Sequence, residues 1–151
     1  DNPETYLHRG LLLLKNKCYK EAYADFDTVL LMDPEDTQTM VYRGKASSLL
    51  ENWEAAQADF SQVIAIDPTY VEAYLFRGQN HYRAAKLEPA LADFTAAISF
   101  DPEDANFYYH RGITLHRMSK IEEACADLSF AKELGMKEAE NVWNKICSPK
   151  N

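Results

Sequence analysis

Arg-Gly recurs at a fixed interval of 34 residues, at Arg9-Gly10, Arg43-Gly44, Arg77-Gly78 and Arg111-Gly112. Asp-Pro keeps the same interval at Asp33-Pro34, Asp67-Pro68 and Asp101-Pro102. A unit this short cannot bury a core of its own, so it must stack on its neighbours in a repeat solenoid. Function in such a chain belongs to an extended surface rather than to a pocket of converging catalytic groups.

Placing the Asp-Pro proline near the end of each unit gives repeats 3–36, 37–70, 71–104 and 105–138. Counted from the first residue of each, position four is large (Tyr6, Met40, Tyr74, Tyr108) and position eight is always Gly. Position twenty is Ala22, Ala56, Ala90 and Ala124, and position twenty-four is Phe26, Phe60, Phe94 and Leu128. Within a unit the spacing is helical: Leu87, Ala90, Phe94, Ala97 and Ile98 follow a 3.6-residue period. Each unit therefore predicts two antiparallel helices, at about 3–16 and 19–32 in the first. Proline stops the second helix because the residue before it is pushed out of the α region. Pro89 sits in the first turn of its helix, where a missing N–H costs little. Gly at eight and Ala at twenty predict the closest approach of the paired helices, with the large residues filling the flanking grooves. Bulk at Gly78 or Ala90 would overpack that crossing by about 1–3 kcal/mol.

These columns resemble the tetratricopeptide repeat, a 34-residue helix-turn-helix family with this Gly, Ala, Phe and Pro pattern. The resemblance covers about nine-tenths of the chain and implies an all-α, right-handed α-solenoid of antiparallel helix pairs. Repeat four departs at its end, where Gly135-Met136 replaces Asp-Pro. Beyond it Ala139, Val142, Trp143 and Ile146 suggest a ninth helix over 139–147, its start reaching back to about 136, followed by a tail at 148–151. Such a helix would cover the last apolar face and turn Glu138, Glu140, Asn144 and Lys145 to water.

Arg at position seven and Asp at twenty-three (Asp25, Asp59, Asp93, Asp127) recur without exception. An arginine row for a ligand is one reading. A repeated internal bracket fits better, because both signs return together in every unit.

The chain carries 24 acidic and 16 basic residues, a formal net charge of -8. That balance argues against nucleic-acid binding, which calls for a basic stripe. No phosphate loop, HExxH, CxxC or GxSxG motif is present, and the four histidines lack a metal-ligand or acid-base spacing. A non-enzymatic chain without cofactor or metal is expected. Apolar runs such as Leu11 to Leu14 are far too short to insert in a membrane. Cys18, Cys125 and Cys147 are an odd number with no metal spacing, which favours three free thiols in a cytoplasmic or other reducing compartment.

The resemblance implies that first helices line a concave, peptide-binding face. Its positions five and six bring Leu7, His8, Val41, Tyr42, Leu75, Phe76, Tyr109 and His110. Position nine adds Leu11, Lys45, Gln79 and Ile113, and positions twelve and thirteen add Tyr82, Arg83 and Arg117. Burial between helices is one account of the aromatic row, an exposed apolar strip the other. Aromatic anchors beside cations would suit a protein or peptide segment with apolar anchors and some acidic residues. The family's carboxylate clamp for chaperone tails is not matched, since Leu7, Leu11, Tyr42, Glu72 and Phe76 stand where its polar groups belong. A protein-interaction module or scaffold is the first reading. Homo-oligomerisation is the second, and RNA binding trails both.

Overall fold

The computed structural model describes residues 2–148, so the last three positions of the expected tail lie outside the described residues. Among the described residues there are nine α-helices and no strand. They are α1 Pro3–Lys15, α2 Tyr19–Met32, α3 Thr37–Leu49, α4 Trp53–Ile66, α5 Val71–Arg83, α6 Leu87–Phe100, α7 Ala105–Arg117, α8 Ile121–Glu133 and α9 Lys137–Ile146. The chain is all-α, and two compact units divide in sequence between Asn80 and His81.

Local chemistry explains where the helices stop. Asp33, Asp67 and Asp101 end α2, α4 and α6 with extended backbone, as the following proline requires. The aspartates have a second role that proline alone does not explain. Asp33 accepts from the Glu35 N–H at 3.3 Å, Asp67 from Thr69 at 2.9 Å and Asp101 from Glu103 at 3.1 Å. Each carboxylate thus makes its own turn. The turns inside the pairs work differently: Lys17, Glu51, Ala85 and Ser119 are left-handed, with φ near 60°. The next residue donates its N–H five residues back, Cys18 to Leu13 at 2.9 Å and Lys120 to Leu115 at 3.0 Å. This satisfies a helix-end carbonyl. Gly135, at φ 91°, makes the corresponding turn between α8 and α9.

In the first unit α1 packs on α2, α2 on α3 and α3 on α4. Phe26 and Phe60 are fully buried, and the position-eight glycines lie directly over them. A methyl on Gly10 would stand 2.6 Å from Phe26 Cε1, and one on Gly44 2.8 Å from Phe60 Cε1. In the second unit α6 packs on α7, α7 on α8 and α8 on α9. A methyl on Gly112 would meet Leu128 Cγ at 2.9 Å and the Ala124 carbonyl at 3.3 Å. The Ala124 carbonyl so near Gly112 fits the expected close approach at Gly and Ala, and the glycine also makes room for the position-twenty-four side chain.

The cysteine expectation is also corrected. Cys125 and Cys147 form a disulfide that ties the end of α9 to α8, with Cα atoms 5.6 Å apart. Only Cys18 is a free thiol. With two of its three cysteines joined, the chain carries no preference for a reducing compartment. Val142, Trp143 and Ile146 of α9 pack on the cluster of Leu128, Ala131 and Ala139, and Lys132 Nζ lies 4.8 Å from the Trp143 ring centre.

Candidate protein-binding faces

Position six explains how the aromatic row is held. Tyr42 stacks on Phe26 with ring centres 5.7 Å apart, and Phe76 leans on Phe60 at 6.2 Å. In the second unit His110 stacks on Phe94 at 5.5 Å. Each ring rests on the position-twenty-four residue of the preceding pair and remains half-buried. Neither sequence reading of this row holds alone: one ring face is core and the remainder reaches the surface. His8 has no such ring beneath it among the described residues and is exposed.

Position five separates further. Val41 is buried in the cluster of Met40, Phe60 and Val63, so it is withdrawn from the candidate surface. Leu7, Leu75 and Tyr109 keep partial exposure. Leu11 packs on the Phe26 cluster and Ile113 on the Leu128 cluster, each partly exposed like Gln79.

The expected cations are seated on rings. Lys45 Nζ lies 4.3 Å from the Phe76 ring centre, a cation–π distance. Burial lowers the Lys45 ammonium below the ordinary lysine range, and among the described residues it makes no ion pair. In the second unit the Arg117 guanidinium sits 5.2 Å from the Tyr82 ring, and its Nη1 donates to the Tyr82 carbonyl at 3.0 Å. Arg83 is exposed. Burial pushes the His110 imidazole down to about 4, with the Arg83 charge adding to the shift and Asp104 opposing it. His110 is therefore neutral at pH 7.

Arg9, Arg43 and Arg111 form the internal bracket with Asp25, Asp59 and Asp127. Arg9 reaches Asp25 through Nε at 2.7 Å and Nη2 at 2.5 Å, and Arg111 reaches Asp127 at 2.7 and 2.8 Å. Arg43 holds Asp59 at 3.0 and 2.6 Å. A third arm escaped the sequence reading. Arg43 Nη1 donates to Asp27 of the preceding pair at 2.7 Å, Arg77 Nη1 to Ser61 at 3.1 Å and Arg111 Nη1 to Thr95 at 3.5 Å. The signal was present: position twenty-five is Asp27, Ser61, Thr95 or Ser129, an acceptor oxygen every time. These arginines lock one pair to the next and are not a ligand row. A cleft of about 360 Å³ beside them is lined by Leu91, Thr95, Arg111 and Asp127, and its cation is already committed to Asp127. Among the described residues no group of His, Cys, Asp and Glu could hold a metal ion, and no helix is long and apolar enough to cross a membrane.

A tetratricopeptide repeat model matches residues 94–126. No curated protein matches the chain. Among solved structures, the chain is similar to TTC0263, a thermophilic TPR protein of Thermus thermophilus. That match has 20% identity over 96% of this chain and 81% of that one, with a TM-score of 0.83. MamA of Desulfovibrio magneticus RS-1 aligns at 23% identity over 88% and 75% of the two chains, with a TM-score of 0.81. YrrB, described as a TPR protein with an unusual peptide-binding site, aligns at 22% identity over 93% and 73%, with a TM-score of 0.80.

Proposed function

Because the chain is a tetratricopeptide-repeat protein by fold, a class that serves as protein-interaction scaffold, we propose that its first-helix faces bind a protein or peptide segment. The observation that carries this reading is Lys45. It is a half-buried ammonium laid on the Phe76 ring without a carboxylate, in a protein of net charge -8. A cation held out of water this way gains most from an anion brought by something else. The preferred segment places an apolar side chain beside Tyr42 and Phe76 and a carboxylate over Lys45. In the second unit Tyr82, Arg83, Tyr109 and Arg117 offer a similar mixture of rings and cations. That YrrB is described as having a peptide-binding site agrees with this reading.

Display selection of random peptides against the intact chain tests it. Enriched sequences should pair aromatic or aliphatic anchors with Asp or Glu. Their affinity should fall by about tenfold or more on Lys45→Glu, the loss of one good charged contact. Helical content should not change. Enriched peptides that bind the Lys45→Glu chain equally well would remove this face as the site.

A further inference from the structure

The same repeat columns build the junction of α2 with α3 in the first unit and of α6 with α7 in the second, but with different residues. In the first unit Tyr23, at position twenty-one, has its ring centre 5.9 Å from the Arg43 guanidinium carbon. Asp27, at position twenty-five, takes the proton of Arg43 Nη1 at 2.7 Å. In the second unit Leu91 and Thr95 hold those two positions. Arg111 still gives Nε and Nη2 to Asp127, but its Nη1 meets the Thr95 hydroxyl at 3.5 Å, the outer limit of a hydrogen bond. Where the first unit has a ring and a carboxylate, the second has the cleft of about 360 Å³, walled by Leu91, Leu115 and Ala126 with Thr95 and Arg111 beside them.

The groups that leucine and threonine leave out define the occupant. We propose that this cleft binds a small aromatic carboxylate, its ring against Leu91, Leu115 and Ala126 and its oxygens accepting from Arg111 Nη1 and the Thr95 hydroxyl. A volume of about 360 Å³ lies at the small end of ligand sites and holds one ring with a short acid arm. An arginine donates more strongly to a carboxylate than to a hydroxyl, so the ligand improves on the contact it displaces. Two carboxylates border the cleft, and neither excludes an anion. Asp127 is held by Arg111 through two nitrogens, and the Glu123 side chain is 63% exposed, 3.9 Å from Lys120 Nζ. The first unit already seats two carboxylates on one arginine, since Asp27 and Asp59 share Arg43. Tyr108 lies 5.6 Å from the Arg111 guanidinium but does not line the cleft, so it does not fill the place of Tyr23. None of Tyr82, Arg83, Tyr109 and Arg117 lines the cleft, and the site stands apart from the peptide-binding reading.

The test titrates the intact chain with 4-hydroxyphenylacetate and follows backbone and arginine side-chain NMR signals. Saturable shifts at Leu91, Thr95, Arg111 and Leu115 are expected, with half-saturation at about 1 mM or below. 4-Hydroxyphenylacetamide keeps the ring without the charge and should bind about tenfold more weakly. Acetate, which lacks the ring, should do no better. Leu91→Tyr with Thr95→Asp restores the residues of the first unit, so this variant should melt no lower than wild type and bind about tenfold more weakly or not at all. Thr95 is exposed, so Thr95→Asp alone should fold normally and already weaken binding. Lys45→Glu should bind as wild type does, which separates this site from the peptide face. The proposal is overturned if no saturable shift reaches the cleft, or if the amide or acetate binds as well as the acid. Equal binding by the folded Thr95→Asp or double variant, or loss of binding on Lys45→Glu, would overturn it as well.

Discussion

Replacing Arg43 by Leu should be among the most damaging single changes in the first unit, because the loss falls on a carboxylate that cannot reach water. Arg43 donates twice to Asp59, at 3.0 and 2.6 Å, and once to Asp27, at 2.7 Å. The Asp59 side chain is 6% exposed and that of Asp27 is 45%. Removing one partner of a fully buried pair costs about 3–5 kcal/mol, since the remaining charge stays uncompensated. Arg43 is itself 21% exposed, so water would enter the vacated space and reduce that figure to about 2–3 kcal/mol, nearly all of it from Asp59. The Asp27 contact lies in the range of exposed pairs, below about 1 kcal/mol. Urea unfolding followed by circular dichroism should show the loss, and the melting temperature should fall by roughly 4–10 °C. Arg43→Leu combined with Asp59→Leu should recover a large part of the stability, because no charge is then left buried. Arg9→Leu should cost less, its guanidinium being largely in water. If Arg43→Leu falls within about 0.5 kcal/mol of wild type, or if the double change is worse than the single one, the bracket is not what fixes one pair to the next.

Two further outcomes follow from the second unit. His110 titrates at about 4 in the folded chain against 6.5 for the free side chain, so between those values the unfolded state binds more protons. Stability should then fall as the pH drops from 6.5 toward 4, by about 2 kcal/mol at pH 5. His110→Phe keeps a ring on Phe94 and should lack that part of the pH dependence, and an unchanged pH–stability profile would refute it. Opening the Cys125–Cys147 bridge with a thiol reductant, or by Cys147→Ser, releases a link of 22 residues worth about 3 kcal/mol in the chain-entropy account. Amides of α9 should exchange faster and Trp143 emission should shift to the red, whereas identical exchange in both redox states would show that packing alone holds α9.

The 34-residue period carried the helix-pair fold and the stop signals because each rests on residues near one another in sequence. A proline ends a helix through its immediate neighbour, and a 3.6-residue spacing marks a face whatever covers it. The same columns foresaw the Arg–Asp bracket, which repeats in register. Tertiary structure decided how far each helix turns and slides against the next, and that governs which side of a ring is covered. It put Val41 under Phe60 and left Leu75 partly open, although both occupy position five. It set Lys45 on Phe76 and joined two cysteines that occur outside any repeated column. Residue type and spacing are blind to these choices, because each depends on what the neighbouring helix places opposite.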